Sequence, residues 1–210
     1  MDKKRYIFDL DGTLLNCNYG MVEDDFFKKE LGEGSDRFVP FIAPLLDEYE
    51  FKNKKYEKDK LCEFLSSKTN LCFTPEVIDG WIEIMTEVPD IMEEGVIETL
   101  EYLKSKDKSL VVLTNWFGDS QKARLKKAKI YDYFDDIYTG DYQLKPHSEA
   151  YLNAIGKYDI ENCVLIGDHL YKDYIAPRSY GLESIFYDKK NNEHENIVKI
   201  KKINELTNRY

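Results

Sequence analysis

Cysteine is sparse in this 210-residue chain and never paired: four residues, at positions 17, 62, 72 and 163, with no Cys-x-x-Cys spacing. Such scattered thiols do not make a disulfide framework and read as reduced core or surface residues of a cytoplasmic protein. No apolar run approaches the roughly 20 residues that a membrane-spanning helix needs. Met1–Arg5 lead directly into a strand rather than into an apolar leader. A basic block is lacking too, since 30 Lys plus Arg face 40 Asp plus Glu and the formal net charge is −10. That balance makes nucleic acid and anionic membranes poor partners, although a local cation can still attract a small anion. Internal repeats and low-complexity linkers are absent, so the length fits one large domain or a core with an inserted subdomain.

What is present begins with Tyr6-Ile7-Phe8-Asp9-Leu10-Asp11-Gly12-Thr13-Leu14. The short apolar run reads as a buried strand, and Gly12 lets the chain leave it in a conformation other residues resist. Asp9 and Asp11, two residues apart at the strand's end, can approach one small site. Buried carboxylates are costly unless paired, protonated or bound to metal, so the pair calls for an explanation. The plainer alternative is a pair of turn formers after an edge strand, Asp-Gly being a common turn dipeptide.

Beyond Leu14 the period becomes helical. Val22, Phe26 and Phe27 share one face, in a helix ended by Gly32 or Gly34. A second stretch over Phe38–Tyr49 must be distorted or shortened by Pro40 and Pro44. Leu61, Phe64 and Leu65 mark a third, and Thr74-Pro75 cap a fourth that Pro89 ends. Residues 16–92 thus read as all-helical. Afterwards strands and helices alternate: a helix in Gly95–Lys106, a strand over Ser109–Leu113, a basic helix capped by Asp119, and a short strand over Asp136–Thr139. Next come a helix capped by Ser148, a strand over Cys163–Ile166, a helix running to Gly181, and a strand over Glu183–Tyr187. A polar loop over 188–195 and a terminal helix over Asn196–Leu206 close the chain. This alternation predicts an α/β fold, a doubly wound, Rossmann-like parallel sheet comprising residues 1–15 and 93–210, with residues 16–92 inserted as a helical cap.

In such a sheet ligands bind beyond the carboxyl ends of the strands. Three strands end there in polar residues: Asp9 and Asp11, Thr114 and Asn115, and Asp168, while Lys145 follows the short strand. Together they offer carboxylates for a hard cation, donors for anionic oxygens and one ammonium. Each also has a structural alternative: Thr114-Asn115 as a capped turn, Lys145 as a solvated lysine before Pro146, Asp168 and Asp173 as helix caps.

Asp9-Leu10-Asp11-Gly12-Thr13, Leu113-Thr114-Asn115, Lys145-Pro146 and Ile166-Gly167-Asp168 through Asp173 resemble the four motifs of the haloacid dehalogenase-like (HAD) hydrolase superfamily, in the family's order and across the entire chain. The resemblance implies that Asp9 is the nucleophile, forming an aspartyl-phosphate. It implies that Asp11 serves as acid and then base. Mg2+ would lie between Asp9, the backbone carbonyl of Asp11, and Asp168. Thr114 and the Asn115 amide would hold phosphate oxygens, Lys145 would neutralise charge, and Asp173 would support Lys145 or a metal-bound water. A cap of this size resembles the branch that acts on small phosphorylated metabolites. Dehalogenases of the superfamily lack an acid at the place of Asp11, which argues for phosphoryl transfer. A sugar phosphomutase would use the same motifs, and a non-catalytic phospho-ligand binder would be expected to have lost some of them. Trp116-Phe117 stand where many relatives have glycine, and are expected to pack beneath the cap.

Overall fold

The computed structural model describes residues 3–17, 19–189 and 196–209. Residues 190–195 of the expected polar loop lie outside the described residues.

Strand β1 (Arg5–Phe8) enters the centre of the molecule and is followed by β2 (Leu15–Asn16). Four helices come next: α1 (Tyr19–Leu31), α2 (Ile42–Lys52), α3 (Lys58–Thr69) and α4 (Pro75–Glu87). Then β3 (Ile91–Met92), α5 (Val96–Ser105), β4 (Ser109–Leu113), α6 (Gly118–Lys127), β5 (Asp136–Tyr138), α7 (Ser148–Ile155), β6 (Cys163–Gly167), α8 (Ala176–Ser179), β7 (Glu183–Tyr187) and β8 (Lys199–Ile200) complete the order. Six strands form one sheet in the order β5-β4-β1-β6-β7-β8, with every pairing parallel.

The period-two geometry of a strand sends alternate side chains to opposite faces. Tyr6 and Phe8 join Leu110, Val112, Val164 and Ile166 on one face, where α5 contributes Val96, Leu100 and Leu103. Ile7 joins Val111, Leu113 and Leu165 on the other, against Ala150, Tyr151 and Ala154 of α7. Both faces of β1 are covered, which is why its sequence runs apolar without alternation. A third apolar cluster sits in the helical segment, with Phe27, Phe38, Leu61, Ile78 and Trp81 meeting Trp116, Phe117 and Leu144 from the sheet's loops.

Several local expectations are corrected. Residues 16–92 are not wholly helical at their ends: Leu15 and Asn16 pair antiparallel with Met92 and Ile91, so the chain enters and leaves the helical segment side by side. The second helix is shortened as its prolines predict: Pro40 sits in a short 3-10 turn, Val39–Phe41, which leads directly into α2. Asp119 and Ser148 do not cap their helices; they lie within α6 and α7, whose preceding residues are Phe117 and His147. The helix expected up to Gly181 is a wider π-type turn, Leu170–Ile175, followed by the short α8. The terminal helix is replaced by β8 and a 3-10 segment, Ile203–Asn208. Edge pairing extends this segment, because the Phe186 and Asp188 amides donate to the carbonyls of Val198 and Ile200. Ile200, Ile203 and Leu206, spaced by three, are then all buried, as a 3-10 turn allows. Thr74 does cap α4, its hydroxyl accepting from the Val77 amide.

Candidate active site

The carboxyl ends of β1, β4 and β6 and the loop after β5 converge on one cavity of about 510 Å³ beneath the helical segment. Asp9, buried, follows β1 directly, and its amide donates to the Ile166 carbonyl at 2.9 Å, which ties it to β6. Lys145 Nζ donates to Asp9 Oδ1 at 2.7 Å and to Asp173 Oδ1 at 2.6 Å. Thr13 Oγ1 spans Asp9 Oδ2 at 3.3 Å and Asp168 Oδ1 at 3.4 Å. Carboxylate oxygens of Asp9, Asp168 and Asp173 all lie within 4.8 Å of one another.

Glycines make this crowding possible. Gly12 has φ +81°, and a Cβ there would fall 2.2 Å from Asp168 Oδ2. At Gly167 a Cβ would meet the Asp173 carboxyl carbon at 2.4 Å. Burial pushes the Asp9 carboxyl up to about 6, against the opposing pull of Lys145, and burial together with the Asp9 and Asp173 charges pushes Asp168 up to about 8. Lys145 stays charged despite burial because Asp173 and Asp9 flank it. Lys145 is thus shared by two carboxylates, whereas Asp168 has no ion pair among the described residues. Three crowded carboxylates with a single ammonium suit a hard divalent cation, which takes oxygen ligands and relieves their repulsion.

Asp11 faces elsewhere. Its carboxylate accepts from Tyr19 Oη at 2.5 Å, Gln121 Nε2 at 2.6 Å and Arg124 Nη1 at 2.6 Å. Although burial opposes ionisation, Arg124 and these donors hold the Asp11 pKa below its ordinary value. Arg124 also grips Asp90 through Nε and Nη2, so its guanidinium joins the end of the helical segment to the site. The Thr114 hydroxyl donates to the Asn115 carbonyl and accepts from Gln121. The Asn115 side chain exchanges two 3.0 Å hydrogen bonds with the Lys145 backbone, fixing the lysine's loop against β4.

All seven residues singled out in the sequence therefore line one cavity. The sequence reading missed Tyr19, Gln121 and Arg124. Gln121 and Arg124 stand three apart and so share a face of α6, but the run Lys122–Lys127 masks them as parts of a solvated basic helix. Trp116 has φ +91°, the left-handed region where glycine is at home. Its ring is held there against Trp81 at 4.8 Å and Tyr56 at 5.6 Å, so Trp116 and Phe117 do pack beneath the helical segment. The His147 ring hydrogen-bonds the carbonyls of Glu50 and Asn53.

The chain is similar to known proteins in sequence and fold. A family profile described as haloacid dehalogenase-like hydrolase matches residues 6–187. The pyrophosphatase PpaX of Bacillus cereus is 26% identical over 192 residues, covering 85% of this chain and 80% of the relative. A ribulose-1,5-bisphosphate 5-phosphatase of Halopiger xanaduensis is 30% identical over 113 residues, 52% of this chain and 45% of the relative. Among solved structures, YfnB of Bacillus subtilis, bound to magnesium, superposes with a TM-score of 0.72 at 18% identity, covering 99% of this chain and 98% of that one.

Proposed function

This chain belongs to the haloacid dehalogenase-like hydrolases, and from that membership we propose that it is a cytoplasmic, magnesium-dependent phosphatase of a small phosphorylated metabolite. One observation carries the reading: a buried carboxylate, Asp9, stands at the end of the central strand, gripped by Lys145, with a second acid two residues on and a cavity partly walled by the helical segment. Phosphatase names among the relatives support it.

In this reading one oxygen of Asp9 attacks phosphorus as the bond to the leaving oxygen breaks, giving an aspartyl-phosphate. Water then attacks that phosphorus, releasing phosphate and freeing Asp9. Lys145 offsets the charge that builds on Asp9 and the phosphoryl oxygens. Thr114 and the Asn115 amide bind those oxygens, for which the Thr114 hydroxyl must turn from the Asn115 carbonyl. Asp11 gives a proton to the leaving oxygen and later takes one from the water. As held by Arg124 it is the base; acting as acid requires that grip to loosen, and Tyr19 of α1 links it to movement of the helical segment. Residues 16–92 act as the cap that excludes bulk water. Asp9, Asp168 and the Asp11 carbonyl would hold magnesium, whose charge offsets the repulsion between Asp9 and the phosphate. Asp173 supports the site through Lys145. The acid at position 11 sets this chain apart from halide displacement, in which the departing group needs no proton.

Phosphate release from an aryl phosphate and a panel of phosphorylated metabolites tests the proposal, with magnesium and with chelator. Turnover is expected only with the metal, and Asp9→Asn should lower kcat on the order of a thousandfold or more. Isomerisation of a sugar phosphate without net phosphate release would favour a mutase instead. Turnover by Asp9→Asn equal to the wild type would sink the nucleophile assignment.

A further inference from the structure

The cavity's charge singles out a class of leaving group. Seven carboxylates line it, against two lysines and one arginine. Each of those cations is already held by two carboxylates. Lys145 bonds Asp9 and Asp173, and Arg124 bonds Asp11 and Asp90. Lys172, facing the cavity from the loop after β6, bonds Asp47 at 2.7 Å and Glu50 at 2.7 Å. Among the described lining residues no lysine or arginine is left to receive a second anionic group of a substrate.

The wall provided by the helical segment carries apolar Val39, Ile42, Leu46 and Met85 together with three acids, of which Asp47 and Glu50 are paired with Lys172, whereas the buried Glu23 of α1 is not. Glu23 Oε1 accepts from Trp81 Nε1 at 2.9 Å, and no cation among the described residues pairs with it. Burial accordingly raises its affinity for a proton. A carboxyl with spare acceptor capacity suits a hydroxyl group, which can donate to it. The same carboxyl repels a carboxylate or phosphate.

Resting on the phosphatase reading above, we infer that the substrate is a phosphate monoester of an uncharged, hydroxyl-bearing or aromatic alcohol, and that Glu23 is the residue that selects against leaving groups carrying a second negative charge. This preference differs from pyrophosphate and ribulose bisphosphate, the compounds for which the two relatives are named.

The test is a kcat/KM comparison with magnesium between two ester sets. One set contains 4-nitrophenyl phosphate and monophosphates of neutral polyols; the other contains phosphoglycolate, pyrophosphate and a sugar bisphosphate. The neutral set is expected to exceed the anionic set by about tenfold or more. Glu23→Gln, which keeps an acceptor for Trp81 and removes the charge, should narrow that ratio, chiefly by lowering KM for the anionic set. A residue that only supports the fold would lower both sets together, so an unchanged ratio overturns the role of Glu23. Preference for the anionic set overturns the inference while leaving the phosphatase reading intact. No turnover of either set, in folded protein, overturns that reading and the inference with it.

Discussion

At the scale of single residues, the site is a problem of fitting carboxylates into too little space. Gly12 and Gly167 are there because any side chain would overlap Asp168 or Asp173. Gly12→Ala must also hold a positive φ, and is expected to cost about 1–3 kcal/mol while displacing Asp168. A denaturant titration and magnesium affinity measured on the same variant would check both effects, and wild-type values would refute the close-approach argument. The raised pKa values have a defined consequence in chelator. Folded Asp9 and Asp168 bind protons more tightly than the unfolded chain does, so stability from these groups is present at low pH. It is lost as pH rises above the ordinary carboxylate value of 3.8 and through the raised values. Tm of the metal-free protein should therefore fall between about pH 5 and about pH 8, less steeply in Asp168→Asn. Magnesium, which binds the ionised carboxylates, should raise Tm more at the upper pH than at the lower. Calorimetry at the two pH values decides it.

At the scale of elements, the helical segment is fastened to the sheet's loops at several points. The Leu144 and Tyr56 amides donate to the carbonyls of Lys54 and Gly140, joining the α2–α3 connection to the loop after β5. Lys172 also reaches α2, where Glu50 is bonded in turn by Tyr56 Oη at 2.6 Å. Lys172→Met would leave Glu50 buried without its cation and is expected to destabilise the fold by about 3–5 kcal/mol. Adding Glu50→Gln should recover part of that loss, because the orphaned charge is gone. Additive losses in the double variant, measured by urea unfolding, would contradict the pairing. Trp116 belongs to this scale as well. Its left-handed backbone costs on the order of 1–3 kcal/mol, offset by the ring's packing between Trp81 and Tyr56.

Across the whole molecule, the carboxylate proposed as acid and base is tied to the helical segment. Asp11 is bonded by Tyr19 of α1 and by Arg124, which also holds Asp90 at the exit of the helical segment. On the proposed mechanism, displacing that segment would change the proton affinity of Asp11 and so link cap movement to acid–base chemistry through one carboxylate. Arg124→Gln removes the larger stabilising charge and should raise the Asp11 pKa, moving the acidic limb of the kcat profile to higher pH. A pH–rate profile superimposable on the wild type's would break that link.

The sequence alone determined the parallel sheet, because strands buried on both faces must be apolar throughout and each is followed by helix-period residues. It also determined which polar residues meet, since a parallel sheet brings every strand's carboxyl end to one edge. Asp9, Asp11, Thr114, Asn115, Lys145, Asp168 and Asp173 could all be named for that reason. Contacts between residues far apart in the chain were decided only by the tertiary structure. Arg124 lies 113 residues from Asp11, and nothing in a lysine-rich helix distinguishes the one cation that turns inward. Asp119 and Ser148 have the chemistry of helix caps, but the chain enters α6 two residues earlier and α7 one residue earlier than such caps would require. The terminal helix gave way to an edge strand because pairing with β7 outweighs the weak helical preference of a short segment. The cavity's acidic lining and its buried Glu23 exist only once α1 is folded over the sheet, since burial and the lack of a cationic partner are properties of the surroundings, not of the residue.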